Sequence, residues 1–438
     1  MTKGSAAKSS DLVSLIMSVA STLGTRAIDI PSRYGFHLLV AAKLGVMDAG
    51  AFYIVFGVLT LFAGLGRLGV DRAMTRDIAQ AIAKDDPTSA RAAIKRGLAM
   101  VLAYSLAAAL ITAAAAPLIA REVFGEPALI VPLWLSAAIL IPLCLSAGVA
   151  GALAGLHRVG FSQMIYSWAW PAFFISLALW GELTLVRAFE FIFLAVTLTA
   201  LLSAALLAFF WPRGGSENGG AANTRELSAL GLALFTTEIV QLLVAALPAL
   251  VLGVVATNQE VGLYAMAWRL ALVLNLLVVA MAAVASPRFA AAAARQDALG
   301  LERTATQMLG LTLVLGAAPL AILAIGAPDL LRLFGSGFAE AAPTLRILLV
   351  GQVVLMLAAC TPEMLGMTGH EKPMQRVNYL AIALYAPLLA ALSVLFGDIG
   401  AAIAALAIAF VTALGSSVLS QRHLGFVPLL RLVSRLSG

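Results

Sequence analysis

Long apolar stretches, each closed by a few polar residues, recur from one end of the 438-residue chain to the other. A helix that crosses a bilayer needs roughly 20 mostly apolar residues. Twelve such stretches can be drawn: 11–34, 48–70, 97–120, 129–153, 162–181 and 185–211, then 228–255, 261–286, 305–327, 342–366, 376–396 and 398–420. The pattern predicts an all-α membrane protein of about twelve transmembrane helices. Between the sixth and seventh stretches lies WPRGGSENGGAANTRE (211–226), rich in Gly, Asn and Ser and without apolar periodicity, which predicts a flexible linker. The expected organisation is an N-terminal six-helix lobe (1–211), a cytoplasmic linker (212–226), a C-terminal six-helix lobe (227–420) and a cytoplasmic tail (421–438).

Composition strengthens this reading. With 62% hydrophobic residues, 11% charged residues and a mean hydropathy of +0.99, most of the chain must sit outside water. A net charge of +6 would suggest nucleic acid in a soluble chain, but here the basic residues gather in alternate loops. Of the 28 lysines and arginines, 19 fall at the termini and after helices 2, 4, 6, 8 and 10, against five after the odd-numbered helices. The positive-inside rule then puts both termini in the cytoplasm, and no nucleic-acid partner is expected. The polar start MTKGSAAKSS leads into a full-length span without an A-x-A site, so an uncleaved first helix is expected. Cys144 and Cys360 lie in apolar stretches without ligand spacing, and the four histidines are dispersed, so no metal, cofactor or catalytic triad is expected.

The halves also parallel one another at a spacing of about 211 residues, as in transporters built from repeated bundles. DAGAFYIVFGVLTLF (48–62) aligns with EVGLYAMAWRLALVL (260–274), placing Gly50 on Gly262 and, further on, Arg76 on Arg288. Two more segments follow in order: REVFGEPALIVPLWL (121–135) with LRLFGSGFAEAAPTL (331–345), and LHRVGFSQM (156–164) with GHEKPMQR (369–376). Six helices per half imply repeats of the same orientation, a 6+6 architecture.

The candidate chemistry is concentrated on the first helix. Asp11, Ser14, Ser18, Thr22, Arg26, Asp29, Arg33 and His37 recur at helical spacing and share one polar face. Charges at membrane depth cost roughly 2.5 to 3.5 kcal/mol each on insertion scales and so face a cavity or a partner. Pro31 predicts a kink between Asp29 and Arg33. An internal Arg26–Asp29 pair that only anchors the helix is the alternative. Helix 2 carries a fainter stripe, Tyr53, Gly57, Thr60, Gly64, Arg67 and Asp71, read as a packing face. In the second half Glu238, Gln241 and Arg269 are the deep polar residues, with Tyr264, Trp268 and Asn275 nearby. A structural Glu238–Arg269 pair and a shared cargo site both remain open. Loop 71–96 reads as an interfacial helix followed by a turn at Asp86–Pro87, with its surface toward water and lipid headgroups.

Three tracts, KLGVMDAGAFYIVFGVLTLFAGLGRLGVDRAMTRDIAQ (43–80), EVGLYAMAWRLALVLNLLVVAMAAVASPRFA (260–290) and LLRLFGSGFAEAAPTLRILLVGQVVLMLAACTPEMLGMTGHEKP (330–373), resemble the Wzx-like polysaccharide flippases of the multidrug/oligosaccharidyl-lipid/polysaccharide (MOP) exporter superfamily. That resemblance implies a two-lobed bundle with a central cavity opening alternately to each side of a bacterial inner membrane. The cargo it implies is an undecaprenyl-diphosphate-linked oligosaccharide destined for O-antigen, capsule or exopolysaccharide, with H+ or Na+ as coupling ion. Arg26, Arg33 and Arg269 lie on the helices where the family places cavity arginines and are the candidates for diphosphate contacts, with Asp29 and Glu238 the candidates for ion coupling. A monomer that is not an enzyme is expected, among membrane lipid and with a polysaccharide polymerase as a candidate partner. A multidrug exporter is the alternative, ill matched to arginines flanking Asp29. A membrane polymerase or glycosyltransferase would need a long outer loop, and the longest outward connection is about 15 residues.

Overall fold

The structure is a computed structural model; it describes the backbone of residues 3–213 and 224–437, with side chains from residue 29 onward except 30, 214–226, 236–237, 435–436 and 438. Among the described residues the chain is helical almost throughout and forms no strand. The helices are α1 (Lys3–Leu65), α2 (Val70–Ala83), α3 (Pro87–Leu118), α4 (Ile130–Gly155), α5 (Val159–Gln163), α6 (Ala169–Ala178) and α7 (Leu185–Phe209). There follow α8 (Thr224–Val255), α9 (Asn258–Ala294), α10 (Ala298–Ile325), α11 (Ala327–Arg332), α12 (Ala342–Leu357), α13 (Thr361–Met367), α14 (Glu371–Leu424) and α15 (Pro428–Leu436).

Nine helical segments among the described residues are long and apolar enough to cross a membrane, and two of them exceed 50 residues. Each long one holds two spans joined by a single glycine in the left-handed region, Gly45 in α1 (φ 74°) and Gly397 in α14 (φ 57°). Dividing the helices there, and adding the interrupted segment 159–178, recovers the twelve expected from the sequence. The chain is a multi-pass membrane protein.

The chain separates into two compact units, the first Met1–Lys43, Leu59–Ala120 and Glu126–Glu238, the second Leu44–Val58, Arg121–Gly125 and Ile239–Gly438. In the first unit α4 packs on α2, α3 and α7. The segment between Asp29 and Gly45 departs from the expected loop at 35–47. It stays helical because Phe36 and Val40, one turn apart, are fully buried, with Phe36 meeting the rings of Trp170 and Phe174 edge-on at 4.9 and 4.7 Å. Backbone dihedrals remain helical through Pro31, and the break falls at Gly45 instead. The helix also brings Lys43 to the end of α6, where its Nζ donates to the carbonyls of Ala178 (2.6 Å) and Gly181 (2.8 Å). A cation there satisfies acceptors that a helix C-terminus leaves open.

The expected helix and turn in 71–96 are present as α2 and the Asp86 N-cap of α3. The apolar face of α2 is consumed by protein: Met74, Ile78 and Ala81 bury against Ala90, Ala93 and Ile94 of α3 and Val149, Ala152 and Leu153 of α4. Gly151 and Gly155 make room, since a Cβ at either would fall 2.6 or 2.7 Å from Asp71 and Ile78. The polar face, with Arg72 and Arg76, stays exposed.

In the second unit α9 packs on α10, α12, α13 and α14, and α12 on α14. Its N-terminus is closed by a capping box, with Glu260 Oε2 accepting from Thr257 N (2.8 Å) and Thr257 Oγ1 accepting from Glu260 N. One core here gathers Met281, Phe289, Leu301, Leu309, Met364 and Phe426. The aligned glycines of the two halves meet: a Cβ on Gly262 would lie 3.3 Å from Gly50 N and 2.3 Å from Val46 O, and one on Gly50 would lie 1.7 Å from Asn258 O.

Candidate functional site

In the first unit the polar residues converge on the interrupted fifth span. Between α5 and α6 the chain makes a wide, π-helical turn over Met164–Trp168. Pro171 supplies a local reason: it has no N–H for the carbonyl of Ser167, so the ordinary i→i−4 ladder cannot continue there. The turn presents two adjacent residues to two different charged groups. Ser167 Oγ donates to Asp29 Oδ1, and the Tyr166 hydroxyl accepts from Arg67 Nη1 at 2.9 Å.

Arg67 is the hub. Its Nη1 also donates to Asp71 Oδ2 (3.1 Å), its Nη2 to Glu238 Oε1 (3.0 Å) and its Nε to the Ala63 carbonyl (3.2 Å). Arg72 reaches the other oxygen of Glu238 at 3.5 Å. Arg67, Asp71 and Glu238 have side chains only 11%, 6% and 8% exposed, so two carboxylates share one guanidinium away from water, and Arg72 at the edge supplies the second positive charge that balances them. Charge pairing of this kind is what allows such groups to persist where isolated charges would be costly. Beside the hub lies a cavity of about 120 Å³ lined by Arg67, Ser146, Tyr166, Trp170 and Thr199 among apolar residues. Ser146 and Thr199 donate their hydroxyl hydrogens to their own helices, to Pro142 O and Ala195 O.

The residues singled out from the sequence fare differently. Asp29 is half-buried and held by Ser167, with Arg33 Nε at 3.9 Å and the Arg33 side chain 63% exposed. The side chain of Arg26 lies outside the described residues. Glu238 takes Arg67 and Arg72 as partners from within its own unit, in place of the pairing with Arg269 that the sequence left open. In the second unit Arg269 lies over the Tyr53 ring with its guanidinium carbon 3.8 Å from the centroid, and its Nη1 donates to Ala265 O at 2.7 Å. Trp268 stacks on the buried Tyr264, with ring centroids 6.2 Å apart. Gln241 is exposed rather than deep. Arg67 and Asp71, which the sequence offered only as a packing stripe, and Tyr166, which it did not single out, are thus central to the polar core of the first unit.

Residues 19–293, well over half of the chain, match the family described as "Polysaccharide biosynthesis protein". The chain belongs to that family. This polysaccharide biosynthesis family member matches no curated protein sequence, but its fold has solved counterparts. One is an inward-facing multidrug resistance MATE family transporter of the MOP superfamily, 16% identical, covering 92% of this chain and 97% of the other with a TM-score of 0.70. Another is the lipid II flippase MurJ in an inward closed conformation, 12% identical, covering 93% and 87% with a TM-score of 0.70. A MOP superfamily transporter from Pyrococcus furiosus, whose binding pocket is described as reversed in polarity, is 16% identical over 91% of this chain and 93% of its own, with a TM-score of 0.60. The family member therefore has the twelve-helix MOP fold, as its sequence patterning and tracts predicted.

Proposed function

We propose that this protein flips a polyprenyl-diphosphate-linked oligosaccharide across a bacterial inner membrane by alternating access, for synthesis of a surface polysaccharide. The observation that carries the reading is the polysaccharide biosynthesis family match lying on a MOP transporter fold. The chemistry of the residues is compatible with it. A diphosphate needs cations that keep their orientation in a low-dielectric site. Tyr53 orients Arg269, and Arg33 is exposed with its carboxylate neighbour at the edge of ion-pair distance; with Arg26 they are the proposed phosphate contacts. Asp29 and Glu238 are the proposed ion-coupling groups. A proton or Na+ taken up at Glu238 competes with Arg67 and Arg72 for the same oxygens, so ion binding loosens the hub and ion release tightens it. No covalent bond is made or broken in this cycle, both termini lie in the cytoplasm, and a polymerase takes over the cargo on the far side.

Deletion of the gene tests this directly. Lipid-linked repeat units should accumulate at the cytoplasmic face while surface polysaccharide disappears, and a plasmid copy should restore it whereas Arg269→Ala and Glu238→Gln copies at equal protein level should not. Normal polysaccharide with increased drug sensitivity would establish an exporter instead. Unpolymerised units exposed on the outer face would point to a polymerase.

A further inference from the structure

The first unit carries a second concavity, unconnected with the charged hub. Between α3, α4 and α7 runs a groove of about 420 Å³ whose lining is almost entirely carbon, with Leu98 on α3, Leu145 and Val149 on α4, and Ala200, Ala204 and Trp211 from α7 and its end. Ala200 and Ala204 are one turn apart, so a row of small side chains hollows the helix surface. The residues from 197 to 211 rise about 21 Å along a helix, somewhat more than the roughly 15 Å of hydrocarbon in one leaflet.

The groove ends among cations. Arg158 lies with its guanidinium carbon 4.7 Å from the ring centroid of Phe210, the neighbour of the groove residue Trp211. Lys95 is exposed on α3 three residues before Leu98, hence on the same face. With Arg72 paired to Glu238, this end of the unit holds seven further basic residues (Arg76, Lys84, Arg91, Lys95, Arg96, Arg158, Arg213) against three exposed-loop or helix-surface acids (Asp77, Asp85, Asp86), one of which, Asp86, is engaged as the cap of α3. An indole at the same level fits the headgroup zone, where tryptophan is enriched.

We propose that the groove is a binding site for an anionic phospholipid of the leaflet on this basic side, one acyl chain lying along Ala200 and Ala204 and the phosphate set against Arg158 and Lys95. The walls select a chain over water, since apart from the hydroxyls of Thr197 and of Ser203, which donates to Ala200 O, they are apolar and offer too few groups to replace water's hydrogen bonds. The net positive rim selects an anionic headgroup over a zwitterionic one, each basic residue near such a surface favouring it modestly. The site is independent of the cargo: flippase, exporter or polymerase would carry it equally.

The test is the thermal stability of the full-length protein in nanodiscs of phosphatidylcholine alone and of phosphatidylcholine mixed with phosphatidylglycerol. The mixed discs should raise Tm by about 5 °C. Filling the groove with Ala204→Trp should abolish the rise, and Lys95→Gln with Arg158→Gln should reduce it. Leu201→Trp, at an exposed groove position, serves if the first variant is not monodisperse. An equal rise in the filled variants, or none in the native protein, overturns the proposal. So does a rise produced in phosphatidylcholine discs by undecaprenyl phosphate where phosphatidylglycerol gives none, which would assign the groove to the carrier lipid.

Discussion

Arg67 donates to a tyrosine, two carboxylates and a main-chain carbonyl while exposing only 11% of its side chain. Removing it leaves Asp71 and Glu238 buried without that neutralising partner, a defect that costs about 3–5 kcal/mol in comparable sites. Arg67→Ala should therefore lower the midpoint of thermal unfolding in detergent sharply, whereas Tyr166→Phe, which deletes one acceptor, should cost about 1 kcal/mol. A second residue gives a pH signature. Asp86 accepts from the Ser89 N–H (3.0 Å) and from the hydroxyls of Thr88 and Ser89, which hold its carboxyl down at about 2 against an ordinary 3.8. Because the folded value is the lower one, the cap is fully present above pH 4 and is lost as pH falls toward 2. Protection of the Ser89 amide, its exchange rate relative to the intrinsic rate at each pH, should fall over that window in the native protein, while Asp86→Asn, which keeps an acceptor without the charge, should flatten the dependence. The hub was poorly legible because Arg67 and Asp71 share a stripe with Gly57 and Gly64 whose small residues read as a packing face. The residue that turns them into a cluster, Glu238, is 171 positions from Arg67, and no periodicity links them. Asp29 was legible, since the polar face of α1 follows helical spacing, but its partner Ser167 depends on a wide turn that hydropathy does not register.

Elements were legible where apolar length alone decides them, and α4, α7 and α8 lie close to their expected limits, whereas α10 starts at Ala298, ahead of the expected 305, because polar residues of its first turns carry no apolar signal. They were misjudged where a helix continues under polar residues: His37, Lys43 and Asp48 dilute the apolar signal of α1, yet Phe36 and Val40 keep it packed and helical. The turn at Gly397 falls where the expected spans 376–396 and 398–420 meet, whereas the one at Gly45 was hidden inside the expected loop 35–47, because a single glycine in left-handed dihedrals breaks the path there without any polar loop. Close helix approach makes a testable contrast between glycines. Gly50→Ala would place a Cβ 1.7 Å from Asn258 O, so yields of folded protein should fall severely, and Gly262→Ala, 2.3 Å from Val46 O, should behave alike. Gly366→Ala, with no heavy atom within 4 Å of the added Cβ, should change the unfolding midpoint little.

For the whole molecule, the charge asymmetry of the loops predicts the side on which each end lies. Both native cysteines are buried, so single cysteines can be introduced as reporters. An impermeant maleimide should label Trp180→Cys, a position 92% exposed between α6 and α7, in intact cells, and should label Ser437→Cys only in inverted vesicles. Labelling of both from the same side would refute the orientation. The repeat was readable from aligned segments because duplicated halves retain their small residues at the same places, and Gly50 and Gly262 show what that retention has become: corresponding positions pressed against one another's helix backbones. Such a contact ties the two copies to a common evolutionary fate. A bulkier residue arising at either position meets main chain that cannot recede by a change of side chain elsewhere, so neither half can be exchanged for a relative's by recombination unless the donor also supplies a bare backbone at that point.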